Sequence, residues 1–338
     1  MRAIQVDPAA RQLVETDVPD PVAGPGQLLV RVRAAGLNRA DLAVVTGGYV
    51  VGTARDASSA PRPPRPFTAG GELAGEVLAV GDGVTGWAVG DRVMAQGQGY
   101  AELAAVDARL AMPAPIALSW EEAGSLPVAL LTMHDALVTN GRWAPGEHVV
   151  VHAVTSGVGV IGAQLALHLG APSVVGTART PAKWDRLTDL LAAVPGPADR
   201  FTACDPADTA ATVARVSGGH GADVVIDNVG AAVLEPTLEA MAILGRIVQV
   251  GRLGGRRGTL DLDELARKRV ALIGVTFRTR TMDERVAVVA AAWRDCATAV
   301  AAGVVRPPVH EVFPLSEAAA AQAALARDEH LGKLVLVP

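Results

Sequence analysis

Three glycines, Gly157, Gly159 and Gly162, stand in G-x-G-x-x-G spacing directly after an apolar run in His148–Ala166 (HVVVHAVTSGVGVIGAQLA). The run reads as a strand and the residues beyond Gly157 as a helix, the context in which this spacing has a mechanism. Gly157 is expected to permit the tight turn, Gly159 to let the backbone approach a diphosphate, and Gly162 to bring the helix close to the strand. A diphosphate at such a helix start meets free N–H groups and the positive end of the dipole. Thr155, Ser156, Gly157, Val158, Gly159 and Val160 are therefore the expected dinucleotide-binding loop. The alternative is a Gly-rich turn that only packs.

The next strand runs into Ser173–Thr180 (SVVGTART). An NAD site carries an acid near this point for the ribose 2′-hydroxyl. This chain has none, and Thr177, Arg179, Thr180 and Lys183 stand there instead. A guanidinium matches a phosphate, which an acid would repel. NADPH is therefore the expected cofactor. The plainer alternative makes Arg179 and Lys183 solvated residues at a helix start.

Other chemistry is sparse. His148 and His152 lie on a strand, where four residues span roughly 13 Å, too far to share one ion; both read as core or surface histidines. The two cysteines, Cys204 and Cys296, are too few for a disulfide scaffold or a cysteine-clustered zinc site. Two buried thiols in a reducing cytosol are expected, with one bridge between them as the alternative. Tyr49 and Tyr100 are the only tyrosines in a chain with 3% aromatics, so each merits a role.

The 338 residues allow two domains at about 150 residues each. Half the chain is apolar and 19% charged, which excludes disorder. With 30 basic and 35 acidic residues the net charge is −5, against a general nucleic-acid binder. No apolar run approaches the roughly 18 residues of a membrane span. The start, MRAIQV, lacks the basic and apolar regions of a signal peptide, so a cytoplasmic protein is expected.

The elements that must position these groups fall into two sets. Gln27–Ala34 alternates polar and apolar residues as a half-buried strand does. Glu72–Val80 and Gly90–Val93 follow across Gly and Asp turns, which predicts a barrel-like β unit. Residues 47–66 are rich in Pro, Ser and Arg and read as a long surface loop. Further on, strands expected at His148–Ala153, Ser173–Thr177, Asp223–Asn228 and Arg246–Gly251 alternate with helices at Val160–Leu169 and Leu234–Leu244. That alternation predicts βαβ units and a parallel sheet covered on both faces. Ala271–Thr276 reads as one more strand, Met282–Ala302 as a helix, and Gly332–Val337 as a strand returning to the first domain.

Taken in order, several segments resemble one family. They are AAGLNRAD (Ala34–Asp41), the glycine-rich stretch Gly70–Val93, LPVALLTMHDAL (Leu126–Leu137), HAVTSGVG, DVVIDNVG (Asp223–Gly230) and GKLVLVP (Gly332–Pro338). The chain is similar over nearly its whole length to the zinc-independent quinone oxidoreductase branch, ζ-crystallin-like, of the medium-chain dehydrogenase/reductases. The resemblance implies an α/β fold, with a Rossmann doubly wound parallel sheet plus a GroES-like, mostly β catalytic domain, and the active site in the cleft between them. The expected division is 1–122 with 266–338 for the catalytic domain and 123–265 for the NADPH-binding domain, with strand 271–276 extending the latter's sheet. A homodimer through Rossmann edge strands is also implied.

By position, the resemblance implies that Asn38 contacts the nicotinamide ribose or the substrate oxygen. Tyr49 bonds the substrate carbonyl or supplies a proton through water, or else is a loop aromatic with no catalytic part. Thr132 lies near the carboxamide, while Asn228, Gly251, Arg252 and Leu253 form the ribose–nicotinamide wall. Phe277, with Arg278, closes the pocket. Zinc-dependent relatives carry a cysteine where this chain has Asn38 and a histidine where it has Gly71; the glutamate after it survives as Glu72. The Leu126–Thr132 region offers no third ligand, so no metal is expected. Without a Lewis acid, the expected reaction is hydride transfer to a quinone or α,β-unsaturated carbonyl, which is already electrophilic. Lys183-Trp184-Asp185 also resembles a segment of polyketide-synthase enoyl reductases. Two alternatives follow: a stand-alone enoyl reductase of a biosynthetic pathway, or a non-catalytic, crystallin-like NADPH-binding protein.

Overall fold

The computed structural model of the chain describes residues 1–47, 66–196 and 198–338. Tyr49 and nearly all of the 47–66 loop lie outside the described residues. The chain divides into two compact units, Met1–Val128 with Phe277–Pro338, and Ala129–Thr276.

The first unit begins with β1 (Arg2–Asp7), β2 (Gln12–Asp17), β3 (Gln27–Gly36), α1 (Arg39–Val45), β4 (Phe67–Thr68) and β5 (Glu72–Val80). β6 (Arg92–Gln96), β7 (Leu103–Asp107), β8 (Ala111–Pro113) and α2 (Trp120–Ser125) follow. β1 sits between β2 and β4 in a small antiparallel sheet. β3 pairs antiparallel with β5 and β7. Its first residues alternate between buried and more exposed, as the sequence pattern requires, and its last three, Ala34–Gly36, are all buried. Leu28, Val30, Val32, Leu73, Val77 and Val93 form the core beneath. Close approach constrains this sheet: a Cβ on Gly75 of β5 would lie 2.0 Å from the Arg31 carbonyl oxygen.

The second unit takes up most of α3 (Pro127–His134), which continues as a π turn, Asp135–Asn140. Next come β9 (Val149–His152), α4 (Gly157–His168), β10 (Val174–Thr177), α5 (Trp184–Ala192), β11 (Phe201–Cys204), α6 (Thr209–Val216) and β12 (Ala222–Asp227). α7 (Leu234–Ala240), β13 (Met241–Gln249), α8 (Leu262–Lys268) and β14 (Ala271–Gly274) complete it. The six strands are all parallel, in the order β11-β10-β9-β12-β13-β14. This is the doubly wound order, with its switch point between β9 and β12. Every residue of β9 and β12 is buried, as a sheet covered on both faces demands. The boundary falls at Thr276 rather than 265 because α8 packs on β13 and β14 hydrogen-bonds to it.

The chain then returns to the first unit through α9 (Met282–Ala301), β15 (Val309–Pro314), α10 (Ala318–Arg327) and β16 (Lys333–Val337). β16 pairs antiparallel with the end of β3. Among the described residues no helix is long and apolar enough to cross a membrane. Cys204 and Cys296 are free and buried, and burial pushes the Cys296 thiol up to about 12.

One element differs from expectation. The helix expected over Leu234–Leu244 stops at Ala240, because Met241 pairs with Ala222 as a strand residue and Leu244 turns left-handed at φ 66°. Apolar spacing in a short buried run fits helix and strand alike, and pairing decided it. A substitution tests the close packing of the first sheet. Gly75→Ala should cost about 1–3 kcal/mol of stability, because the new methyl meets backbone that cannot move away. Chemical denaturation of the variant measures the loss.

Candidate active site

The carboxyl ends of β9, β10, β12 and β13 come together at the switch point. Ala153, just after β9, is the left-handed residue of the turn at φ 51°. This corrects the role expected of Gly157, which is instead the first helical residue of α4. Ser156 caps that helix. Its Oγ accepts from Gly159 N at 3.0 Å and donates to the Ala153 carbonyl at 2.7 Å. A Cβ on Gly159 would lie 2.3 Å from that same carbonyl oxygen, so the loop closes only over glycine. Gly162 packs under Met133, whose Sδ would be 2.8 Å from an added Cβ. Thr155, Ser156, Gly157 and Val158 are half-buried, and Gly159 and Val160 buried. A helix start leaves N–H groups without partners in its own ladder; with Gly159 N held by Ser156, those of Gly157 and Val158 stand at the accessible lip.

His152 organises the floor. It is fully buried, with Nδ1 2.8 Å from Thr177 Oγ1 and Nε2 2.7 Å from Thr237 Oγ1. Thr237 donates its own proton to the Val233 carbonyl, so it accepts from His152 Nε2–H, and Thr177 donates to Nδ1. Burial pushes the imidazole down to about 4, so it is neutral here. This bonding corrects the expectation for Thr177: its side chain is fully buried against His152, so its hydroxyl is not a 2′-phosphate ligand. Arg179 is exposed and Lys183 half-buried, both just beyond β10.

Asn228 Nδ2 donates to the His152 carbonyl at 3.0 Å and ties β12 to β9. The side chain is 7% exposed, and its Oδ1 has no partner among the described residues. A buried acceptor without a donor is costly, so this one fits a donor arriving from outside the chain. Gly251 lies against the Asn228 backbone: its Cβ would be 1.9 Å from the Asn228 carbonyl oxygen. Asp227 Oδ1 accepts from Val229 and Gly230 N at 2.7 and 2.8 Å and shapes the loop. Burial raises its carboxyl above the usual range, opposed by those N–H groups. Arg252 is half-buried and Leu253 exposed. The sheet end thus gathers Thr155–Val160, Arg179, Lys183, Asn228 and Gly251–Leu253. Thr132, half-buried, is on α3.

Asn38 and Phe277 belong to the first unit. Phe277 is half-buried, with the Arg280 guanidinium 5.1 Å from its ring centroid. Asn38 caps α1 and is 9% exposed. Its Nδ2 donates to Glu72 Oε1 at 2.8 Å, and its Oδ1 accepts from Lys333 Nζ at 2.8 Å. Lys333 Nζ also donates to Glu72 Oε1 at 2.7 Å, closing a ring, and Val128 N donates to Glu72 Oε2 at 2.7 Å. Glu72 is fully buried and Lys333 3% exposed. Beside them, Asn38 N and the hydroxyl of fully buried Tyr100 both donate to Asp41 Oδ2, at 2.8 and 2.9 Å. Burial raises the Tyr100 phenol well above its ordinary range. Lys333 lies in the GKLVLVP segment, where a charged residue at the start of an apolar strand is the signal that marks it.

Residues 24–116 match the alcohol dehydrogenase GroES-like domain, and residues 198–336 a zinc-binding dehydrogenase domain. Human synaptic vesicle membrane protein VAT-1 homolog is 30% identical over 336 residues, 94% of this chain and 80% of that protein. Spectinabilin polyketide synthase system protein NorB of Streptomyces orinoci is 34% identical over 314 residues, 92% of this chain, but the chain spans only 13% of NorB. Two mycobacterial structures each match at 30% identity over 100% of both chains: a quinone oxidoreductase, TM-score 0.80, and Rv1454c complexed with NADPH, TM-score 0.81. The chain belongs to the medium-chain dehydrogenase/reductase superfamily of oxidoreductases, in its quinone oxidoreductase-like branch.

The second domain's description raises the question of zinc, and the donor set does not fit it. Gly71 supplies no donor, Asn38 replaces a thiolate, and the free charge of Glu72 is already met by an ammonium. Among the described residues no three His, Cys, Asp or Glu side chains cluster as ligands.

Asp41 makes a pH test available. Burial raises its carboxyl from 3.8 to about 6, against the two donors and Lys333. Between these values the unfolded state has lost the proton and the folded state still holds it, so this group lowers stability as pH rises, and the full penalty is present above about pH 6. Asp41→Asn keeps the acceptor and removes the charge. Its thermal midpoint should exceed wild type near neutral pH, converging with it near pH 4. Parallel midpoint curves would mean that Asp41 ionises normally.

Proposed function

We propose that the chain is an NADPH-dependent, zinc-independent reductase of quinones or α,β-unsaturated carbonyls. Two observations carry this reading: a Rossmann phosphate loop, and a zinc position whose surviving carboxylate, Glu72, is bonded to a buried ammonium. In this reading Thr155–Val160 cradle the diphosphate, with the lip N–H groups of Gly157 and Val158 as donors. Arg179 and Lys183 hold the 2′-phosphate. Asn228 Oδ1 accepts from the ribose–nicotinamide half, and Thr132, Gly251–Leu253 and Phe277 line it. NADPH, when bound, supplies a hydride to the electrophilic carbon of the acceptor. The electron pair displaced from the conjugated system moves onto the substrate oxygen. Asn38 donates an N–H to that oxygen as its negative charge develops, and a proton then arrives from solvent or through Tyr49.

Similarity to NorB and the Lys183-Trp184-Asp185 segment support a second reading, a stand-alone enoyl reductase. We also propose a homodimer: β14 ends the sheet, and Leu272 on it is 46% exposed.

NADPH consumption by the EDTA-treated protein, followed by nicotinamide absorbance, tests the chemistry. Turnover with p-benzoquinone and cyclohexenone is expected, and saturation of an enoyl thioester alone would favour the second reading. Failure to oxidise NADPH with any of these acceptors would argue for the non-catalytic alternative. Arg179→Ala combined with Lys183→Ala should weaken NADPH on the order of 100-fold while leaving NADH nearly unchanged, since charge-assisted bonds to a phosphate each contribute about 1.5–3 kcal/mol. Equal losses in a binding titration would remove both residues from the 2′-phosphate. Gly159→Asp should abolish NADPH binding altogether.

A further inference from the structure

We infer that Lys333 and Glu72 are positioning residues that lock the Asn38 carboxamide in one of its two orientations, so that it presents an N–H, never its oxygen, to the substrate. The inference rests on the proposed contact between Asn38 and the substrate oxygen. A carboxamide turned by half a rotation exchanges donor for acceptor with almost no change in shape. At Asn38 the two orientations are far apart in energy. As found, Oδ1 faces the Lys333 ammonium at 2.8 Å and Nδ2 faces the Glu72 carboxylate at 2.8 Å. Turned over, the amide would set N–H groups against the ammonium and its oxygen against the carboxylate, both repulsive in a site shielded from water.

The lock is itself held in place. Lys333 and Glu72 pair at 2.7 Å, and Val128 N fixes the other carboxylate oxygen. Gly36 allows the carboxylate to come this close, since a Cβ there would lie 2.5 Å from Oε1. One N–H of Nδ2 is spent on Glu72. The second is the group left for an incoming oxygen. The ammonium draws density from Oδ1 and makes that remaining N–H a stronger donor. The cation therefore acts through Asn38, where a metal would bind the substrate oxygen directly.

Two readouts test this. In the NADPH-free protein, the Asn38 side-chain amide should give one pair of 1H–15N resonances, assigned by their loss in Asn38→Ala, with the proton held by Glu72 protected from exchange. Lys333→Met together with Glu72→Gln removes both charges and leaves a neutral, hydrogen-bonding core, so it folds even where Lys333→Met alone does not. In this double variant the pair should lose protection and shift. An unchanged pair would overturn the lock.

The second readout is kinetic, with p-benzoquinone or cyclohexenone as acceptor. The double variant should lower kcat about 10-fold, with the NADPH dissociation constant unchanged, and Asn38→Ala about 100-fold, the scale of a lost oxyanion donor. In the Asn38→Ala background the two further substitutions should change kcat by less than about twofold, because they act through the missing amide. An equal 10-fold drop in both backgrounds would overturn positioning in favour of a structural role. Wild-type kcat in Asn38→Ala would instead remove Asn38 from the proposed reaction, while the resonance test still decides the lock.

Discussion

Glu72 is a fully buried carboxylate, and the first unit is arranged to satisfy it. A lone buried anion costs several kcal/mol, and removing one partner of a buried pair leaves that cost exposed. Three donors meet it: the Lys333 ammonium, the Asn38 amide and the Val128 N–H. Each comes from a different part of the chain. Lys333 lies 261 positions away, so the last strand has to return and pair with β3 before the charge is neutralised. The start of α1, the start of α3 and the glycine at the end of β3 are fixed by the same anion.

The sheet ends of the second unit depend on close backbone contact. They meet at Asn228, whose amide reaches β9 while its backbone carries Gly251. Beneath them a neutral imidazole spans two threonines, a buried polar network in which both ring nitrogens of His152 have their partners. Such a network is rigid when it is complete. Asn228 Oδ1, which has no partner among the described residues, lies where an open α/β sheet binds its ligand.

Much of this was legible in the residues. Continuous apolar runs bounded by Gly and Asp marked β9, β10 and β12, because strands buried on both faces have no polar face to alternate with. The phosphate loop was legible because its glycines follow a strand and open a helix. The failures share a cause. The spacing predicts Gly157 as the turn residue, but the left-handed position is Ala153, four residues earlier. Thr177 stands at the right place in the chain for a phosphate ligand, yet its hydroxyl is claimed by His152 on the neighbouring strand. The helix over Leu234–Leu244 was cut short by pairing between Met241 and Ala222.

The resemblance to a known family implied the doubly wound fold class and the positions at which zinc ligands would stand; the sequence alone determined the alternation of strands and helices and the parallel sheet they build. These follow from local pattern and residue type, which need no partner to be read. Only the tertiary structure decided that Lys333 meets Asn38 and Glu72, that Thr177 is inward, and that Asn228 keeps an unmatched acceptor. Hydrogen bonding and ion pairing act over about 3 Å in space, and here they join residues separated by as many as 295 positions in the chain. Spacing along the sequence carries no information about such distances until the strands have paired.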